Sequence, residues 1–265
     1  MPPEIATEQR GASGPPLLLI HGFPLDRTLW RAQLDALAPH ARVVALDLPG
    51  FGESPPAASA RVQTMEQHAD AVLAVADALG FARFAVGGLS MGGYVALALA
   101  RRAAARLTGL LLCDTRAEAD APAACEQRRA DATRVLAHGH EFVISAMLPR
   151  LFGSTSQTTR PELVAHVTSM MRRATREAVA ASLLGLAERR DARLDLALIA
   201  LPTLVLCGDE DMITPPKCAR ALADGIPGAR LELIAQAGHL APLEAPDAVN
   251  LAIMNWLATL APSHE

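Results

Sequence analysis

Short, mainly apolar runs recur along the chain, and the segments between them carry helical patterns. This alternation restricts the possible folds more than any other feature. The runs are residues 16–20, 42–46, 84–87, 107–113, 203–207 and 231–235. None of them alternates apolar with polar over its length, as a strand wetted on one face would. Strands covered on both faces read this way, as in a parallel sheet. Parallel neighbours need crossover connections, so the expectation is an α/β, doubly wound, mostly parallel sheet with helices on both faces.

The intervening segments supply those helices. Thr64-Met65-Glu66-Gln67 has capping-box spacing, and Gly80 is a natural stop for the helix it opens. Trp30, Leu34 and Leu37 fall on one helical face, and so do Val249, Ile253 and Trp256 near the C-terminus. The alternation fails between residues 116 and 190. That stretch is rich in Ala, Arg and Met, with breaks at Pro122, Gly139, Pro149, Gly153 and Pro161. It is too long for one ordinary crossover. We read residues 116–190 as a helical cap inserted into a core made of residues 1–115 and 191–265.

At 265 residues and 51% hydrophobic composition, the chain can bury a sizeable single core. The formal net charge of -4 gives no general attraction to nucleic acid or anionic lipid. No apolar stretch is long enough to span a bilayer, and the first residues lack the basic start and apolar run of a signal peptide. Cys113, Cys125, Cys207 and Cys218 show no CxxC pairing, and Cys113 and Cys207 sit inside apolar runs. A reduced, cytoplasmic protein is expected.

The segment richest in chemistry joins the run at 84–87 to a helix starting at Met91. Gly88-Leu89-Ser90-Met91-Gly92 matches G-x-S-x-G. A serine at the apex of a strand-to-helix turn sits in a strained backbone conformation. Side chains two residues on either side would collide, which calls for glycine at both places. The helix start also aims backbone N–H groups at the reaction centre. The spacing fits neither a dinucleotide-binding G-x-G-x-x-G nor a P-loop.

Other strand ends carry matching groups. His21-Gly22-Phe23-Pro24 follows the first run, and the N–H of Phe23 can converge with that of Met91 to form an oxyanion hole. His21 itself reads as structural, bonding neighbouring backbone. Asp209, Glu210 and Asp211 crowd the end of the run at 203–207. Asp211 lies far enough into the loop to reach a histidine, while Asp209 reads as a turn residue. Asp114, which closes the run at 107–113, is a competing acid. His239, after Gly238, can mediate between Ser90 and an acid as general base. His138-Gly139-His140 offers only two ligands in a helix break, so no metal site is expected.

Together these motifs, with Asp47-Leu48-Pro49-Gly50-Phe51-Gly52-Glu53-Ser54, give a chain that resembles the α/β-hydrolase family. The order Ser…Asp…His is the one this fold uses. Within the family the sequence is most similar to 3-oxoadipate enol-lactonases and small bacterial carboxylesterases. Members usually begin with an antiparallel hairpin. Only about 15 residues precede Leu17 here, so the first edge strand is expected to be shortened or missing, with residues 5–9 supplying one strand.

The resemblance implies a serine hydrolase that cleaves a carboxylic ester or lactone through an acyl-enzyme. It needs no cofactor and acts as monomer or homodimer on a small to medium, partly apolar molecule. The expected pocket walls are Met147, Leu151, Phe152, Met170 and Met171. Arg172, Arg173 and Arg176 either meet a substrate carboxylate or form a solvated helix face. The same three side chains would also serve a carbon–carbon bond hydrolase, thioesterase or perhydrolase. A receptor that has kept the fold and lost turnover is the reading of another class.

Overall fold

All six apolar runs become strands, and five of them, apolar-rich with few polar side chains, are covered on both faces. The computed structural model describes residues 5–56 and 61–260. In chain order it has β1 (Thr7–Arg10), β2 (Pro16–Ile20), α1 (Arg31–Leu37), β3 (Arg42–Leu46), α2 (Met65–Ala78), β4 (Phe84–Leu89), α3 (Met91–Arg102) and β5 (Leu107–Cys113). Five helices follow: α4 (Pro122–His138), α5 (Glu141–Leu151), α6 (Ser154–Thr159), α7 (Pro161–Arg173) and α8 (Arg176–Ala187). The alternation then resumes with β6 (Thr203–Gly208), α9 (Pro216–Gly225), β7 (Arg230–Ile234), α10 (Ala241–Glu244) and α11 (Pro246–Leu257).

The strands form one seven-stranded sheet in the order β1-β3-β2-β4-β5-β6-β7. All pairings are parallel except that of β1 with β3. The first edge strand is thus present but only four residues long. β7, at the other edge, departs from the sequence expectation: Leu233 is exposed and only Ile234 is buried. An edge strand lacks a neighbour on one side, so its apolar residues are only partly covered.

Strand periodicity sorts the core into two layers. Leu18, Ile20, Val44, Val86 and Leu110 face α2 and α3, packing with Val72, Val95 and Leu99. Leu17, Leu19, Val43, Ala85 and Leu111 face the other way, toward Leu34, Ile253 and Trp256. The predicted capping box at Thr64 and Gln67 is formed, and Gly80 follows α2 with φ of 69°. No helix of the described residues is long and apolar enough to cross a membrane.

Among the described residues between β5 and β6 there is helix and no strand. Pro122 and Pro161 open α4 and α7, while Gly139 closes α4 and Gly153 precedes α6. Pro149 does not break its helix. It lies in the last turn of α5, where only one N–H is forfeited before the helix ends. α8 ties the insertion to the core: Gly185 is packed against the backbone of Gln63, and Ala178 against Gly50.

Candidate active site

Parallel strands all end at the same edge of a sheet, and here four neighbouring ends each deliver a polar group. Ser90 follows β4 directly, Asp114 follows β5, Asp211 lies just past β6, and His239 lies on the loop after β7. Ser90 has φ of 55° and ψ of -111°, a region side chains rarely adopt. Its N–H donates to the Cys113 carbonyl at 2.9 Å, carrying the sheet ladder one residue past the strand. Its carbonyl accepts from Gly93 N, Tyr94 N and the Thr115 hydroxyl, at 2.9, 3.2 and 2.8 Å. The strained conformation is therefore held from both sides. The flanking glycines are required: a Cβ on Gly88 would lie 2.1 Å from the Gly92 carbonyl carbon, and one on Gly92 would lie 2.3 Å from the Ile20 carbonyl oxygen.

The loop after β2 crosses this turn. A Cβ on Gly22 would sit 3.3 Å from that of Ser90. Among the loop and cap hydrogen bonds of the described residues, the N–H groups of Phe23 and Met91 donate to no backbone carbonyl. They are the donors that the sequence singled out for an oxyanion. His21 is fully used elsewhere: Nε2 accepts from Leu48 N at 2.9 Å, and Nδ1 donates to the Gly22 carbonyl at 2.8 Å. Its burial lowers its pKa, in spite of the nearby Asp47 charge. It braces the loop, as the sequence reading has it. Asp47 does similar work in the next motif, accepting from Arg27 N and Glu53 N and pairing with the Arg27 guanidinium.

His239 and Asp211 form a buried pair. His239 Nδ1 donates to Asp211 Oδ2 at 2.8 Å. The other carboxylate oxygen accepts from Ile213 N and Thr214 N, at 2.7 and 3.0 Å. The Thr214 hydroxyl adds a bond to Oδ2 at 2.7 Å and lies 3.3 Å from Nδ1. Burial pushes the Asp211 carboxyl up, but the imidazole and these donors outweigh it and hold it below the usual range. With Nδ1 engaged, Nε2 is the ring nitrogen left for chemistry. No hydrogen bond joins it to the Ser90 hydroxyl among the described residues. Contacts of this kind tighten when substrate binds.

Asp114, the competing acid, has a different setting. It is fully buried beside Asp211, and Oδ1 accepts from Gly208 N at 2.8 Å. The Cys113 thiol donates to Oδ2 at 3.2 Å. Burial and the Asp211 charge raise its pKa well above that of a free aspartate. The structure gives the histidine to Asp211. Asp114, Cys207 and Asp211 offer three ligand atoms within 4.8 Å of one another. The bonds to Gly208, Thr214, Ile213 and His239 occupy the carboxyl oxygens, and burial holds the Cys207 thiol far above its ordinary pKa, so the set does not suit a cation. His140 Nε2 bonds the Met171 carbonyl at 3.2 Å, and His138 is exposed.

A cavity of about 380 Å³ opens between α4, α5 and α8, with Phe23 in its wall. Phe142, Val143, Met147 and Leu183 give it an apolar lining, and Gln127, Asp131 and Arg134 a polar rim. Of the expected pocket walls, Met147 faces this cavity. Leu151, Phe152, Met170 and Met171 are packed in the apolar layer that also holds Leu17 and Trp30. Arg172, Arg173 and Arg176 do not line this cavity. Arg172 pairs with Glu141, Arg173 with Asp26, and Arg176 with Glu177.

A family model described as alpha/beta hydrolase fold matches residues 15–246. The chain belongs to the α/β-hydrolase family. Among solved structures it is similar to a thermophilic esterase from Thermogutta terrifontis, with 45% identity, a TM-score of 0.93, and coverage of 96% of this chain and 93% of that one. An enol-lactonase from Burkholderia xenovorans LB400 follows with 30% identity, a TM-score of 0.88 and 97% coverage of both chains. Among curated proteins it is 31% identical to the dihydrolipoyllysine-residue acetyltransferase component of the acetoin cleaving system of Pseudomonas putida. That match takes in 94% of this chain but 65% of the relative's length.

Several residues that shape the site of this α/β hydrolase carried no signal in the sequence. Thr214 and Thr115 fix the Asp211 carboxylate and the Ser90 carbonyl. Glu244 accepts from backbone on both sides of His239. Their partners lie far away in the chain, or in a loop whose path only the folded sheet defines. No periodicity or motif reports such contacts.

Proposed function

We propose that Ser90, His239 and Asp211 act as a catalytic triad, and that the chain hydrolyses carboxylic esters or lactones through an acyl-enzyme. The observation that carries this reading is the strained Ser90 turn sharing one sheet edge with the buried His239–Asp211 pair. The esterase and enol-lactonase relatives support the choice of substrate class.

Ser90 Oγ attacks the carbonyl carbon as His239 Nε2 takes the hydroxyl proton, while the ionised Asp211 stabilises the imidazolium. The oxyanion of the tetrahedral intermediate accepts from Phe23 N and Met91 N. On collapse, the proton passes from His239 to the leaving oxygen, which departs as an alcohol or stays tethered as the opened lactone. Water then gives its proton to His239 and attacks the acyl carbon, and collapse frees the acid as His239 returns that proton to Ser90 Oγ. The helices of residues 116–190 form a cap over this edge. The apolar cavity beside Phe23 suits a small to medium acyl or alkoxy group.

Ser90→Ala is expected to lower hydrolysis of short p-nitrophenyl esters by about a thousandfold or more, with the melting temperature close to that of the parent. Unchanged hydrolysis by that variant would remove Ser90 from the chemistry. A fluorophosphonate probe gives the second readout: the parent labels at Ser90, and failure to label means the serine is not activated.

A further inference from the structure

The loop that carries His239 is held by a carboxyl group that the reaction itself does not use. Glu244 closes α10 and is only 7% exposed. Its Oε1 accepts from Gly238 N at 2.9 Å and Leu240 N at 3.1 Å. Its Oε2 accepts from Gly153 N, in the corner between α5 and α6, at 2.8 Å. The N–H of His239 itself donates to the Leu151 carbonyl in the same corner, at 3.0 Å. Three consecutive backbone donors, 238 to 240, are therefore satisfied by this one carboxyl group and one carbonyl of the helical insertion.

The two backbones meet without side chains between them. A Cβ on Gly238 would lie 2.1 Å from Gly153 N. Arg160, which leads into α7, donates to the Leu243 and Glu244 carbonyls at 3.3 and 3.0 Å, so the insertion also grips the far end of α10. Buried N–H groups need acceptors, and only a group with two acceptor oxygens can serve all three donors at once. An amide in the same place would turn an NH2 group toward an N–H on one side.

We propose that Glu244 is a positioning residue for His239, which locks the histidine loop to the α5–α6 corner of the insertion and so sets the approach of Nε2 to Ser90. The proposal rests on the triad reading above. A ring hung from a shifted loop loses its line to the serine hydroxyl, and displacements near 1 Å can cost about a hundredfold in rate.

The test compares the full chain with Glu244→Ala and Glu244→Gln by steady-state kinetics on a p-nitrophenyl ester, thermal melting and amide hydrogen exchange. Glu244→Ala is expected to lower kcat by about a hundredfold while KM stays within about threefold, a split expected when substrate binding survives and the reacting geometry does not. Glu244→Gln keeps one acceptor oxygen and is expected to lose about tenfold in kcat, a partial rescue. Exchange at Gly153, Gly238 and Leu240 speeds up in Glu244→Ala, and in Glu244→Gln it speeds up on the side that the NH2 group faces.

A Glu244→Ala variant that melts cooperatively above the assay temperature with parental kcat overturns the proposal. Should that variant fail to fold, a Glu244→Gln chain with parental kcat and parental exchange at the three amides does so. Parental protein whose three amides exchange as fast as those of exposed loops is equally fatal. A parent that neither turns over esters nor takes up the fluorophosphonate sinks the hydrolase reading instead. The exchange data then still report whether Glu244 holds the loop.

Discussion

Asp114 and Asp211 are carboxyl groups within 4.8 Å of each other, and their surroundings drive them in opposite directions. Asp211 has the imidazole and three further hydrogen bonds, from Ile213 N, Thr214 N and the Thr214 hydroxyl, to stabilise its charge. Asp114 has burial and the charge of Asp211 to oppose its own. Folding therefore takes up a proton at Asp114 between the free-aspartate pKa of 3.8 and its raised native value. In that window the folded state binds more protons than the unfolded one, so stability falls as pH rises, by up to about 1.4 kcal/mol per pH unit. Asp114→Asn keeps the shape and the bond from Gly208 N while removing the titration. Its melting temperature is expected to exceed the parent's by a margin that widens as pH climbs from about 4 toward neutrality. A margin that is constant with pH, or a variant less stable throughout, would show that Asp114 is ionised in the folded chain. The two acids could not be separated by spacing alone, since both follow a strand end. What favours Asp211 is its distance into the loop, where Thr214 can hold it against the ring. Gly88 was legible for the opposite reason: the clash it avoids, with Gly92, lies within five residues of chain, whereas Gly92 is also confined by the Ile20 carbonyl at the end of β2.

Elements were legible where local pattern and burial agree. Strands β2 to β6 follow their apolar runs to within two residues, because each is covered on both faces and every side chain reports that environment. β7 reads like the others but is half exposed, because position at a sheet edge is a property of the whole topology. The run of helices between β5 and β6 was visible as a failure of alternation, yet its anchorage was not. Asp120, 2% exposed at its side chain, pairs with Arg116 from the exit of β5, Arg128 on α4, and Arg189 just beyond α8. Arg189 also stacks on Tyr94 of α3, with its guanidinium carbon 3.9 Å from the ring centre. One carboxylate thus joins both points where the chain enters and leaves the insertion. Burial raises its pKa, but the three guanidiniums prevail and hold it low. Asp120→Ala leaves these cations without their shared partner, and a loss of about 2 kcal/mol is expected, less than for a fully buried pair because two of the arginines are partly wetted. Limited proteolysis should then cut within residues 116–190 before the sheet core. Cleavage sites and rates matching the parent's would mean that apolar packing of α8 alone secures the insertion.

At the scale of the whole molecule, a layered α/β fold buries whatever lies on the inner faces of its helices, including side chains that water would charge. His68 on α2 is 1% exposed, its Nε2 has no partner among the described residues, and the fully buried His21 lies close enough to add to the cost of its protonation. Burial, with His21 second, depresses its pKa from 6.5 to about 3. His21 is depressed as well, and protonating it would cost the bond from Leu48 N to Nε2. Both rings are neutral in the folded chain at pH values where the unfolded chain binds protons. Stability from this source is complete above pH 6.5, the unfolded value, and is lost as pH falls toward 3. The Asp211 carboxyl, with its lowered pKa, adds a second loss only below 3.8. The two histidines alone should therefore cost a few kcal/mol by pH 4, offset in part by Asp114, whose protonation favours the folded chain over the same range. His68→Gln removes one of the two titrations, so its melting temperature is expected to decline less than the parent's between pH 6.5 and 4. Melting curves of parent and variant that run parallel across that range would show that protons enter the unfolding equilibrium elsewhere.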